Sequence, residues 1–225
     1  MAEPPLPSGI AVAGRVGEEE AVLGWLDGGG DVDAITDTPE EKRGLSLLMI
    51  CSQHGQAALV DALLDRGAAA NLQSVGGTAL LYSVLLNHHA IAERLLAGGA
   101  GINECDIDGK SALMLAAIRG HERSLAVLLR NGAAVDMQDR DGFTALIYAV
   151  YYNRPEIVSR LLRAGSDSEV KTSKGNTALQ RAKKMGHTEC ARLLKGHAKE
   201  MAAQRRRDRR QGRARRGRSN QTNQG

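Results

Sequence analysis

Aromatic side chains are scarce in this chain of 225 residues: one Phe, one Trp and four Tyr make up 3% of it. A core built from large rings is excluded, so Leu, Ala, Val and Ile must supply it. Cysteine is sparse too. Cys51, Cys105 and Cys190 form an odd, widely spaced set, which argues against a disulfide framework and for reduced thiols in an intracellular protein. No apolar run approaches the roughly 20 residues of a membrane helix. The N-terminus has no basic n-region, and Pro4, Pro5 and Pro7 interrupt it, so no signal peptide is expected. Location in the cytoplasm, the nucleus or both follows, without membrane association. Signatures of chemistry are missing as well. There is no phosphate-binding P-loop, no G-x-G-x-x-G and no zinc-spaced Cys/His set. No cofactor, no metal and no enzyme activity are expected.

What is present is repetition. The pattern G-x-[ST]-x-L begins at Gly44, Gly76, Gly109, Gly142 and Gly175, at intervals of 32, 33, 33 and 33 residues. A fixed period of this length signals stacked supersecondary units. Ser46, Thr78, Ser111, Thr144 and Thr177 all stand where a hydroxyl can cap a helix N-terminus. Small residues follow at Cys51, Ser83, Ala116, Ala149 and Ala182, where neighbouring helices must approach closely. Gly55, Asn87, Gly120, Asn153 and Gly186 break the first helix of each unit. The second helix carries leucine pairs, from Leu63-Leu64 to Leu161-Leu162. Gly67-Ala68, Gly99-Ala100, Gly132-Ala133 and Gly165-Ser166 then end it, as helix C-caps do. One unit buries too little apolar surface to offset its backbone entropy, so the units must stack.

Gly109-Lys110-Ser111-Ala112-Leu113-Met114-Leu115-Ala116-Ala117, followed by Gly120-His121 and Val127-Leu128-Leu129-Arg130-Asn131-Gly132-Ala133, resembles the ankyrin repeat. The resemblance implies an all-α solenoid of helix-turn-helix units with β-turn or hairpin fingers. It spans residues 10–198, in units of approximately 10–43, 44–75, 76–108, 109–141, 142–174 and 175–198. Residues 1–9 are expected to be a disordered N-terminus. The family's T-P-L-H line is altered here. Leu47, Ala79, Ala112, Ala145 and Ala178 replace its proline, and Met49, Leu81, Met114, Ile147 and Gln180 replace its histidine. The Thr–His hydrogen bonding of the family is therefore not expected. The join from Asp33 to Gly44, which includes Thr38 to Arg43, is longer than the others and is expected to protrude.

Residues 1–196 carry 20 Lys/Arg against 24 Asp/Glu, whereas 197–225 carry 10 against 2. The basic charge thus belongs to a tail, residues 199–225, expected to be disordered in isolation. Ala198 to Arg210 can extend the last helix for a few turns. Its arginines, Arg205, Arg206, Arg207, Arg209, Arg210, Arg213, Arg215, Arg216 and Arg218, suit an import carrier or the phosphates of RNA or DNA. The bland alternative is a solvated tail, and no aromatic residue interleaves to stack on bases.

The resemblance implies binding of a protein or peptide on a concave side formed by turn tips and exposed faces of first helices. The matching positions are Arg140, Asp141, Phe143, Tyr151 and Tyr152 in the fifth unit. They are Ile107, Asp108, Lys110, Ile118 and Arg119 in the fourth, and Ser74, Val75, Gly77, Leu85 and Leu86 in the third. Aromatics and arginine are favoured anchors at interfaces. Arg119 is expected beside Tyr152, and Tyr148 in a core slot. The role expected is that of a non-catalytic scaffold or adaptor, monomeric, with a nucleic-acid-associated protein using the tail as the alternative. His187 and Cys190, three apart, could pair as base and thiol, but they match an ordinary turn residue and a core slot. Asp106-Ile107-Asp108-Gly109 starts like a calcium loop without its glutamate, and its aspartates suit an exposed turn.

Overall fold

The computed structural model describes residues 5–36 and 44–221, with side chains described through 204 and at 207. The protruding loop expected around Thr38 to Arg43 lies outside the described residues. Helices come in pairs, one pair per unit: α1 Ser8–Val16 and α2 Glu19–Asp27; α3 Leu47–His54 and α4 Ala57–Asp65; α5 Ala79–Leu85 and α6 His89–Ala97. The pairs continue with α7 Ala112–Arg119 and α8 Glu122–Arg130, α9 Ala145–Tyr151 and α10 Pro155–Arg163, and α11 Ala178–Met185 and α12 Thr188–Gln221. The first helix of each unit packs on the first helix of the next, and second helices from α4 onward do likewise. The result is two helical layers, with isolated β-bridges such as Cys105–Ser111 and Lys171–Thr177 tying the fingers between units.

Each first helix is seven to nine residues long, too short to persist alone in water. Caps and packing hold it. The side chains of Ser46, Ser111, Thr144 and Thr177 accept the backbone N–H three residues on. Gln180 reciprocates by accepting the Thr177 N–H, completing a capping box. Asn87 and Asn153 adopt positive φ, 64° and 51°, where the four other units use glycine; asparagine tolerates that region better than most side chains. Leu48, Leu80, Leu113 and Leu146 are at most 2% exposed. Each contributes roughly 1.5–3 kcal/mol by leaving water.

Polar ties between units replace the Thr–His bonding that the altered T-P-L-H line removes. The residue just after the inter-helix turn reaches back to a carbonyl near the end of the preceding unit's first helix. Gln56 Nε2 donates to the Arg15 carbonyl at 2.8 Å, and His88 Nε2 to Gln53 at 3.1 Å. His121 Nδ1 donates to Val84 at 2.9 Å and His187 Nδ1 to Val150 at 2.8 Å. These acceptors are carbonyls the helix end leaves unpaired. On the second-helix layer, Arg66–Asp27, Arg94–Asp61, Arg130–Glu93 and Arg160–Glu122 form a ladder of exposed ion pairs, each worth little by itself.

Two expectations need correction. Residues 5–9 are ordered: Leu6 is buried, its N–H donates to the Ile35 carbonyl at 2.8 Å, and α1 already starts at Ser8. Burial of one leucine plus a backbone bond outweighs the proline-rich composition. Thr78 does not cap α5 with its hydroxyl, which is buried with no partner among the described residues. The α12 backbone runs into the basic tail as far as Gln221, past the few turns to Arg210 expected to extend it. Ala, Arg, Gln, Lys and Glu are strong helix formers, and a helix already nucleated by buried Cys190 and Leu194 propagates at little cost. No described helix is long and apolar enough to cross a membrane.

Candidate interaction surface

Among the described residues, every exposed large apolar side chain except Met201 of α12 lies on a first helix, at its end or on a finger. The residue immediately before the inter-helix turn is Val16, His54, Leu86, Arg119, Tyr152 or Met185 in successive units, and all six are exposed. Val16 is 61% exposed, Leu86 47% and Tyr152 45%. An ordinary core pattern would not put large apolar groups there repeatedly.

The fifth unit concentrates them. Its finger turns at Asp139, whose Oδ1 accepts the N–H groups of Asp141 and Phe143 at 3.0 and 2.8 Å. The other carboxylate oxygen accepts the Tyr148 hydroxyl at 2.5 Å. Burial, then this bond to a carboxylate, pushes the Tyr148 phenol well above its ordinary range. With finger and helix locked together, four rings assemble. Phe143 and Tyr148 have centroids 4.9 Å apart, Phe143 and Tyr151 6.3 Å, and Tyr151 and Tyr152 5.1 Å, the latter two edge-on. Tyr148 and Tyr152 stack at 6.5 Å.

Of the sequence-predicted residues, Arg119, Arg140, Asp141, Tyr151 and Tyr152 are exposed, and Lys110, Ile118 and Phe143 are partly buried. Tyr148 is also partly buried, as its leucine-like slot requires. Lys110 is committed to Asp108 at 2.6 Å, and that hydrogen bond holds the Asp108 carboxyl below its usual range. The guanidinium found on the rings is that of Arg181 in α11, 4.7 Å from the Phe143 centroid and 5.3 Å from that of Tyr151. Arg119 makes no such ring contact among the described residues. Arg181 lies outside the positions expected to bind, which on the first helices are only those nine and ten residues after each unit's glycine. The slot six residues after the glycine holds Ile50, Tyr82, Leu115, Tyr148 and Arg181 from the second unit on; one cation in an otherwise hydrophobic or aromatic column is the signal that could have found it.

The groups weighed for chemistry are engaged elsewhere. His187 is tied to Val150, and the Cys190 thiol points to Asn153 Oδ1 at 3.6 Å. Burial first, then Glu189 and Glu156, push that thiol up, the opposite of an activated nucleophile. Burial pushes Cys51 up to about 12. Asp106 Oδ1 accepts two turn N–H groups, of Asp108 and Lys110. Among the described residues no group of three or more His, Cys, Asp or Glu could hold a metal ion. The tail arginines lie on the α12 backbone as far as Arg218; of their side chains only Arg207 is described, and it is exposed.

The chain matches the family model for ankyrin repeats in three copies over residues 10–106 and 87–172, and the single ankyrin repeat over 174–204. No curated protein matches it. Among solved structures, it is similar to a chain in that of the Bd0816 predatory endopeptidase from Bdellovibrio bacteriovorus in complex with immunity protein Bd3460. The TM-score is 0.74 at 25% identity, over 84% of this chain and 98% of the other. The repeat period, the paired helices and the family match agree: the chain belongs to the ankyrin repeat family.

Proposed function

We propose that this protein is a non-catalytic, intracellular scaffold that binds another protein through its first-helix face, the concave side in its family. The ring cluster of Phe143, Tyr148, Tyr151 and Tyr152 would be the centre of that contact. One observation carries this reading: four of the chain's five Phe and Tyr residues lie on that unit, all exposed or partly exposed, on a layer whose turn-proximal residues are all exposed. Rigid aromatics with arginine beside them make strong anchors because they bury area at low entropic cost. Affinity purification with the intact chain and with the Phe143/Tyr151/Tyr152 triple alanine tests it. Proteins retained by the first and lost by the second, with helical content unchanged, are expected. Equal retention by both would contradict the reading.

A second role concerns the tail. Its charge, 10 Lys/Arg against 2 Asp/Glu over 197–225, supports contact with an import carrier or with nucleic-acid phosphates. Replacing Arg205, Arg206, Arg207, Arg209 and Arg210 with alanine should reduce nuclear enrichment or retention on RNA at low salt. No change in either would leave the tail as a solubilising segment.

A further inference from the structure

Up to the basic α12, the two helical layers differ in the sign of their charge. The six first helices, α1, α3, α5, α7, α9 and α11, carry Arg15, Arg119, Arg181, Lys183 and Lys184 and not one Asp or Glu. The second helices α2, α4, α6, α8 and α10 carry eight carboxylates against five arginines, a net of −3, and only α12, which runs into the basic tail, departs from this. The repeat body is net acidic, so a purely cationic face is not what its composition would distribute by chance.

Helix dipoles do not explain the segregation. They favour cations in a last turn, which suits Arg119 and Lys184, but equally favour carboxylates in a first turn. All six first helices lack an acid in their first turn, whereas α2, α8, α10 and α12 have one or more. Arg181 lies in the first turn of α11, where the dipole disfavours it. There its guanidinium sits over Phe143 and Tyr151, with Nε buried and lacking a hydrogen-bond partner among the described residues. None of the ion pairs among the described residues involves Arg119, Arg181 or Lys184. The finger carboxylates keep their charge but sit at the opposite end of the first helices from Arg119 and Lys184. Asp106 and Asp139 are engaged by turn N–H groups and Asp108 by Lys110. The exposed Asp141 is at a fingertip, about 12 Å of helix away from Arg119 and Lys184 at the far ends of their helices.

Resting on the first-helix face as the binding surface, we propose that its occupant is an extended acidic segment of a partner protein, with apolar anchors at regular spacing. Units repeat about every 10 Å, and an extended chain in the polyproline II conformation advances about 3.1 Å per residue with about three residues per turn, so about three partner residues span one unit and every third side chain meets the same face. Leu86, Arg119 and Tyr152 occupy the same position in the third, fourth and fifth units, and Lys184 stands one residue before it in the sixth. The complementary segment places an apolar residue on Leu86, a carboxylate three residues on at Arg119, and an apolar residue three further at Tyr152. Another carboxylate follows at Arg181 and Lys184. Uncompensated guanidinium groups over aromatic faces favour carboxylates through charge-assisted bonds.

The test pans a displayed library of random peptides on the full chain. Enriched peptides should carry Asp or Glu alternating with apolar residues at three-residue spacing. Binding of a synthesised member should weaken on the order of tenfold in Arg119→Glu and in the Arg181→Gln/Lys184→Glu pair. The equally sized change Arg163→Glu, on the second-helix layer, should leave it unaltered. Enrichment of neutral or basic peptides, or recovery of none, overturns the proposal, as does charge-dependent binding of single-stranded RNA in place of peptide. If Tyr152→Ala abolishes binding of a selected peptide but the charge variants do not, the acidic occupant fails and the binding face stands. If neither set matters, both fail.

Discussion

The third and fifth units place a tyrosine at the same point of their first helix, yet their fingers differ by one residue. In the fifth, Asp139 N–H donates to the Phe143 carbonyl and Gly142 N–H to the Asp139 carbonyl. The turn is three residues long, with positive φ falling on Gly142 at 75°, as three-residue hairpin loops prefer. Phe143 then follows in a conformation open to any side chain. In the third, Ser74 and Gly77 exchange both backbone bonds across a two-residue turn. Positive φ, 102°, falls on Gly77, the position of Phe143. Shortening the finger by one residue therefore bars a ring from the tip. It also puts Ser74, with a single hydroxyl on Tyr82 at 3.0 Å, where Asp139 gathers three donors. One finger is a plain turn; the other is the base of an aromatic cluster.

Breaking that contrast has graded consequences. Gly77→Val should be most damaging, at about 3 kcal/mol in denaturant unfolding, because a β-branched residue at positive φ is strained. Its Cβ would also lie 2.7 Å from Leu81 Cδ2. Asp139→Ala should cost nearly as much, about 2–3 kcal/mol, by orphaning two N–H groups and the Tyr148 hydroxyl, while Ser74→Ala should cost about 1 kcal/mol. Equal losses for the two would mean the fingers are alike. Thr144→Val should lose about 1 kcal/mol with its cap, whereas Thr78→Val, whose hydroxyl is unpartnered, should be neutral or slightly stabilising. The smallest effect is one of pH. Folded Tyr148 has a raised pKa, so its contribution is present below the unfolded phenol value of about 10 and declines as pH rises through and above it. Spectrophotometric titration should show one phenol lagging in the native protein, and Tyr148→Phe should remove it.

Much of the fold is legible in the sequence because each unit writes its own punctuation. Gly44-Leu45-Ser46 and its counterparts mark fingers and caps, and Gly55, Asn87, Gly120, Asn153 and Gly186 mark helix ends. The exceptions are tertiary or cooperative. Thr78 has almost the backbone angles of Thr144, φ −90° and ψ 171° against −97° and 168°, so its missing cap is a matter of where the hydroxyl points, which the sequence does not specify. The tail's charge argues for disorder, but the packed helix that precedes it supplies a nucleus. For the candidate surface, exposure of Tyr151 and Tyr152 follows from helical phase alone. The choice of Arg181 over Arg119 does not, because it turns on which neighbouring unit a side chain leans toward.

The central claim is that the first-helix layer, and not the second, meets the partner. A photoreactive amino acid placed at Tyr152, and separately at Arg163 on the second-helix layer, tests it inside cells. Partner adducts from position 152 and none from 163 are the predicted result. Adducts from 163 with none from 152 would contradict the account.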